Sequence, residues 1–216
     1  GALQVKAREE WKDATLEGLG EVLAKSRDED DLAQRKFGKS GFEEVLHFRT
    51  TRLFVSLSTE PTVPWQHVQW IMTIAAEQKY RKIEVSEGTR SLLVDLPHHV
   101  NIDYLVPPLG INADIHLVAL AEQPAKWGEV EVRRPTVVRY KCGKSETSDL
   151  ADVAVYLRKA KATAEDVKDR PVVICGEIKA GHKVPYARVF DVAEAFVAAG
   201  IESVDFYGTA IPPKDT

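Results

Sequence analysis

Val63-Pro64-Trp65-Gln66-His67-Val68-Gln69-Trp70-Ile71 and Val184-Pro185-Tyr186-Ala187-Arg188-Val189-Phe190-Asp191-Val192 are two versions of one pattern, 121 residues apart. The offset persists beyond the quoted stretch. Ala75 and Ala76 align with Phe196 and Val197, Tyr80 with Ile201, Ile83 with Val204, and Val85 with Phe206. A fixed offset sustained from Val63 to Val85 marks an internal repeat, and a repeat constrains the architecture before any single element is read.

In each copy Val-Pro opens a helix, because proline suits the first helical turn, where its missing N–H has no partner to lose. Apolar residues then recur at helical spacing: Val68, Ile71, Ala75 and Ala76 in one copy, Val189, Val192, Phe196 and Val197 in the other. Gly200 supplies a left-handed stop. Lys79 stands at the equivalent place, so the first helix is expected to end differently. Short strands follow, with Ile83 and Val85 in one copy and Ile201, Val204 and Phe206 in the other.

An apolar run precedes each helix: Leu53-Phe54-Val55-Ser56-Leu57, and Pro171-Val172-Val173-Ile174-Cys175. The second run is nearly continuous and predicts a strand buried on both faces. A longer loop, Glu177-Ile178-Lys179-Ala180-Gly181-His182-Lys183, is expected to join it to its helix. Upstream of each run lies another helix. Ser148 can cap one that carries Leu150, Val153, Ala154 and Leu157 on one face, with Asp149 and Asp152 in its first turn. Thr15 is the analogous cap before Leu16, Leu19, Val22 and Leu23; Gly18 and Gly20 weaken that helix by about 1 kcal/mol each. Two strands lead the second copy, one at Ile115–Leu120 and one within Glu129–Tyr140, where Pro135 favours an edge or a bulge.

The predicted fold is therefore α+β: two tandem small units, each a mixed β-sheet with two helices on one face, in the order β-β-α-β-α-β. The first unit lacks clear leading strands, unless Leu3–Lys6 is a remnant of one. Expected boundaries are 1–88 for the first unit, 89–112 for a linker and 113–216 for the second unit. Each strand–helix–strand crossover should be right-handed.

Composition fits a folded domain. The 216 residues are 44% hydrophobic and 29% charged, which excludes a disordered tail, a collagen-like fibre and a coiled-coil rod. With 29 basic and 33 acidic residues the net charge is −4, and no basic stripe appears, so nucleic acid is not an expected partner. The run Arg27-Asp28-Glu29-Asp30-Asp31 reads as a solvated face or loop. No stretch approaches the roughly 20 apolar residues of a membrane span. No charged segment followed by an apolar core opens the chain, and Gly1-Ala2 reads as the start of a piece cut from a longer protein.

Candidate chemistry is sparse. Gly38-Lys39-Ser40 and Gly143-Lys144-Ser145 lack the glycine that a phosphate loop needs five residues earlier, since Ala33 and Val138 stand there. His98 and His99 point to opposite faces of an extended segment and do not share a metal; with Asp103 they read as solvated linker. His116 reads as a strand-face residue and His182 as a loop residue. Cys142 and Cys175 form no C-x-x-C motif; each ends a predicted strand, which leaves a disulfide open. No nucleophile elbow is present. No catalytic, metal or cofactor residue is assigned, and the chain is not read as an enzyme. Trp65 and Tyr186 are either packing residues or exposed anchors for a partner. Trp70, aligned with Asp191, is expected to face a partner or the other unit. The final strand, Val204, Asp205, Phe206 and Tyr207, is the candidate edge for a partner strand or a homodimer.

Pro171-Val172-Val173-Ile174, Val184-Pro185-Tyr186 and Ala199-Gly200-Ile201, in that order, resemble the periplasmic domain of the ExbD/TolR biopolymer-transport family. Val94-Asp95-Leu96-Pro97 resembles the short motif that follows that family's membrane helix. The resemblance covers about residues 92 to 210, and residues 15 to 86 more weakly. It implies a periplasmic domain of an inner-membrane single-pass protein. The parent's membrane helix, with its essential aspartate, would pair with a multi-helix proton-channel partner. The folded domain would dimerise and touch a periplasmic partner protein or peptidoglycan. No stretch of the sequence supplies that helix, and the family carries one copy where this chain has two. The alternative is a cytosolic tandem ferredoxin-like regulatory domain that binds a small metabolite.

Overall fold

A computed structural model describes residues 4–7, 10–13, 16–45, 48–95, 109–119, 126–127, 130–131, 136–166, 174–201 and 203–207. The chain divides into two units. The first holds residues 1–59, 67–104 and 208–216, and the second holds residues 60–66 and 105–207.

In the first unit β1 (Gln4–Ala7) and β2 (Glu10–Asp13) pair with each other and, among the described residues, with no other strand. The strand expected near Leu3–Lys6 thus exists but does not lead the main sheet. Then come α1 (Leu16–Arg35), β3 (Phe42–Val45), β4 (Phe48–Ser58), α2 (Trp65–Glu77), β5 (Tyr80–Glu87) and β6 (Arg90–Asp95). The main sheet runs β3-β4-β5-β6; β4 and β5 are parallel and the outer pairs antiparallel. Ile83, Val85 and Val94 are buried on one face with Leu19 and Leu23 of α1 and Ile71, Met72, Ile74 and Ala75 of α2. Phe54 and Leu93 are exposed on the other face. The Tyr80 hydroxyl donates to Leu23 O at 3.0 Å and ties β5 to α1.

Of the two readings of the acid-rich run, solvated face or loop, the run takes the first as part of α1, except that its last member turns inward. Asp31 is buried. It accepts hydrogen bonds from Gly41 N–H at 3.1 Å and from Arg35 Nε at 2.8 Å, which clamps the turn after α1. Gly38-Lys39-Ser40 lies in that turn, and the Ser40 hydroxyl reaches Asp31 at 3.4 Å.

In the second unit the order is β7 (Leu109–Ala119), β8 (Lys126–Trp127), β9 (Val130–Glu131), β10 (Thr136–Cys142), β11 (Ser145–Thr147), α3 (Leu150–Glu165), β12 (Ile174–Ala180), α4 (Tyr186–Ala198) and β13 (Ser203–Tyr207). The sheet runs β11-β10-β7-β12-β13, and β8–β9 is a separate hairpin. Set aside that hairpin and the short β11, and the order is β-β-α-β-α-β. Ile111, Ala113, Ile115, Tyr140, Ile178, Val204 and Phe206 are buried on one face with Val153 and Leu157 of α3 and Val189, Val192, Ala193 and Phe196 of α4. Alternation of these with polar residues leaves the other face open.

Residues 60–66 belong to this unit by contact. Trp65 N–H donates to Val184 O and Tyr186 N–H to Val63 O, both at 2.7 Å. Gln66 N–H donates to His182 O and Ala187 N–H to Pro61 O, both at 3.1 Å. Each pair of bonds maps onto the other by the 121-residue offset. The Trp65 ring lies 5.1 Å from that of Phe206. Trp65 and Tyr186 are each 1% exposed, so both are packing residues and neither is an exposed anchor.

Several expectations are corrected. Residues 89–112 are not all linker, since they contain β6 and the start of β7. The stretch read as a long loop after Cys175 is mostly β12: Glu177 and Lys179 alternate with Ile178 and Ala180, so it is strand with one open face, and Cys175 lies near its start. Of the run expected to be buried on both faces, Ile174 is half-buried and Cys175 buried, while Pro171–Val173 lie outside the described residues; charge enters the open face only beyond it, at Glu177 and Lys179. The cap of α3 is Asp149, whose Oδ1 accepts from Ala151 N–H at 2.8 Å, rather than Ser148. The proline of the second copy is the N-cap of α4, one residue before the helix. Lys79 adopts φ 71° where Gly200 adopts φ 78°, so the two helices end alike after all. A lysine there carries a left-handed conformation at a cost of about 1–2 kcal/mol. Thr15, Pro135, His98, His99 and Asp103 lie outside the described residues.

Candidate functional site

The edge strand β13 is positioned by α4. Gly200 and the N–H groups of Ala199 and Gly200, bonded back to Ala195 O and Val197 O, stop the helix and turn the chain into the sheet. Ile201 is buried under that turn. β13 then pairs parallel to β12, with Gly176 opposite Val204, Glu177 opposite Asp205 and Ile178 opposite Phe206. Among the described residues no strand lies on its other side.

Of the residues singled out on this strand, Val204 and Phe206 are buried, not offered to a partner. What the edge presents is backbone, with Asp205 on the open face; the side chain of Tyr207 lies outside the described residues. Trp70 is half-buried on α2 in the first unit, its ring 5.0 Å from His67. Its Nε1 is enclosed and has no hydrogen-bond partner among the described residues. In α4 the equivalent positions hold an ion pair, Arg188 Nη1 with Asp191 Oδ2 at 3.4 Å.

The open face of the sheet is ordered by charge. One register row runs Glu146, Lys141, Asp114, Lys179 across β11, β10, β7 and β12, and its signs alternate. The next row runs Asn112, Glu177, Asp205 and ends at the edge on two acids side by side. The Glu177 carboxyl fills the space above Gly110 where a side chain at that position would stand. Burial, and then the charge of Asp205, push its pKa above the usual 4.5. The Cys175 thiol donates to Asp205 Oδ2 at 3.2 Å. Asn112, Asp114, Glu177 and Lys179 line a cleft of about 140 Å³, well below the several hundred Å³ of a typical small-molecule site.

His116 stands on this face, its Nε2 3.4 Å from Glu146 Oε1. Cys142 lies on the opposite, buried face, and burial, with Asp114 adding, pushes its thiol up to about 11. β7 separates the two cysteine-bearing strands and the two side chains face opposite ways, so both thiols are free. Gly143-Lys144 is the tight turn between β10 and β11, and Ser145 opens β11 opposite Cys142. Among the described residues no three His, Cys, Asp or Glu side chains converge on one point, and no helix is long and apolar enough to cross a membrane.

Glu177, Lys179, Asn112 and Asp114 were missed in the sequence as site residues. The available signal was strict alternation in Ile111-Asn112-Ala113-Asp114-Ile115 and Glu177-Ile178-Lys179-Ala180. Compared with known proteins, the chain matches no family model, no curated protein and no solved structure.

Proposed function

We propose that this chain is the folded, non-catalytic, partner-binding part of an ExbD/TolR-like membrane protein, and that it works on the periplasmic side by capturing an extended segment of another polypeptide at β13. The observation that carries this reading is the unequal fate of two equivalent strands. β5 is covered on both sides, by β4 and β6, whereas among the described residues β13 has β12 alone. An uncovered strand carries a row of N–H and C=O groups that pair with an added strand. The order β-β-α-β-α-β and the Val-Pro-aromatic helix starts support the family resemblance. The small polar cleft on the second unit gives little support to the metabolite-binding alternative.

The test is made on the parent protein in cells. Membrane fractionation with protease accessibility in spheroplasts should place it in the inner membrane with residues 1–216 outside the cytoplasm. A parent that fractionates with the cytosol overturns the reading.

A further inference from the structure

We infer that the segment captured by β13 carries a lysine or arginine flanked by apolar residues, with the basic side chain in register with Asp205. This rests on the edge reading above and adds the chemistry of the partner.

The charge pattern of the sheet makes the argument. In the row Glu146, Lys141, Asp114, Lys179 every acid has a basic neighbour in register. Asp114 has one on each side, Lys141 and Lys179. In the adjoining row Glu177 lies between Asn112 and Asp205, and neither carries positive charge. Among the described residues neither Glu177 nor Asp205 forms an ion pair; Asp205 has only the Cys175 thiol at 3.2 Å. Lys179 sits one row away, in register with Asp114 and Tyr207.

Like charges directly opposite on neighbouring strands repel, and opposite charges attract. The next position outward in the row is the one an added strand would fill. Side chains alternate across a strand, so its residue in register with Asp205 shares the open face with both carboxylates. The residues before and after it turn to the face that holds Val204 and Phe206, which is apolar and packed by α4 and Trp65. An apolar-basic-apolar segment satisfies both faces at once. Burial first, and the neighbouring charge of Asp205 second, raise the pKa of Glu177, so a cation placed beside the pair would meet two carboxylates and no competing positive charge in their row.

The experiment uses the whole chain and three synthetic seven-residue peptides of alternating Val and Thr, with Lys, Thr or Glu at the centre. Fluorescence anisotropy gives affinity, and amide chemical shifts give the place of binding. The Lys peptide should bind about tenfold tighter than the Thr peptide, the worth of one charge-assisted hydrogen bond, and the Glu peptide weakest. Shifts should centre on Ser203–Tyr207. Asp205→Asn should bring the Lys and Thr peptides to within about twofold of each other, and 0.5 M salt should do the same. Equal binding of the Lys and Thr peptides to the native chain overturns the basic preference and leaves the edge reading intact. Shifts confined to other strands, or no binding by any peptide, overturn both.

Discussion

α2 and α4 are helices of thirteen residues whose limits differ by 121 at both ends, yet the strands they lead into are finished differently. After α2 the chain forms β5, makes a hairpin and returns as β6, which covers β5 with six register pairs from Lys82–Asp95 to Glu87–Arg90. After α4 the chain forms β13 with no described strand beyond it. The core pattern inherited by both copies is thus separable from edge protection, which belongs to one. Burial fixes where α2 and α4 lie, and a single added hairpin decides whether the strand after the helix is interior or an edge; in the first unit the edge passes to β6.

The strongest way to break this comparison is to attack the shared core. Phe196 is fully buried on α4, and its equivalent on α2 is the fully buried Ala75. The second copy fills with a ring the place that the first fills with a methyl group. Phe196→Ala should therefore cost about 3–5 kcal/mol, the usual range for an emptied aromatic site. Urea unfolding measures it. A loss under 1 kcal/mol would mean that the two copies pack alike at this position.

The next test compares the edges themselves. Glu84 on β5 and Asp205 on β13 are equivalent positions. Successive N–H groups of a strand point to opposite sides, so proline removes a donor toward one neighbour only. On β5 a paired strand lies on either side, and Glu84→Pro should cost about 1–3 kcal/mol from the acceptor left unpaired. Asp205→Pro and Val204→Pro together sample both sides of β13. One of them should weaken self-association or peptide capture with a smaller loss of stability. If neither changes capture while both fold, strand addition at β13 is excluded.

How legible these features were in the sequence depends on burial. The repeat, both helix pairs and the alternation of strand and helix were readable, because residues such as Val68, Val189 and Phe196 must face a core and so keep their period. The edge was half readable: the last strand was placed, but Val204 and Phe206 were taken for partner surface because one strand's pattern does not say which of its faces the helices cover. Glu177 and Lys179 were taken for loop because charge in a strand is legible only when the opposite face is known to be buried. Asp31 escaped for the reverse reason. Four neighbouring charges hid one that turns inward to hold Gly41 and Arg35. The reciprocal bonds of residues 61–66 with 182–187 have no periodic signature at all.

A smaller effect sharpens the likeness of the two helix ends. Lys79 and Gly200 share a left-handed backbone, but only glycine adopts it without a Cβ penalty. Lys79→Gly should stabilise the first unit by up to about 1 kcal/mol, and Gly200→Lys should destabilise the second by a similar amount. The pair is read by urea midpoints. Opposite signs confirm that the stop is one device used twice, and a loss from Lys79→Gly would show that its side chain, not its backbone, sets the end of α2.

The smallest effect separates the two units by pH. In the first, burial alone would raise the carboxyl of Asp31, but hydrogen bonds from Arg35 and Gly41 N–H and the charges of Arg35 and Arg49 outweigh it and hold it below the usual 3.8. A depressed acid contributes stability that is present above its unfolded value and lost as pH falls through the folded one. In the second, burial and Asp205 hold Glu177 above the usual 4.5. A raised acid contributes stability that is complete below 4.5 and lost as pH rises through its folded value. The two carboxyls therefore give opposite slopes. Asp31→Asn should flatten the acid loss of the first unit below pH 3.8. Glu177→Gln should gain about 0.5 kcal/mol or less at pH 7, a surface-sized change, and nothing at pH 4, where the native carboxyl already keeps its proton. Urea midpoints at the two pH values measure it, and a larger gain at pH 4 than at pH 7 would mean that Glu177 is already neutralised by a cation on the sheet face. That outcome would remove the unmatched charge on which the basic preference of β13 depends.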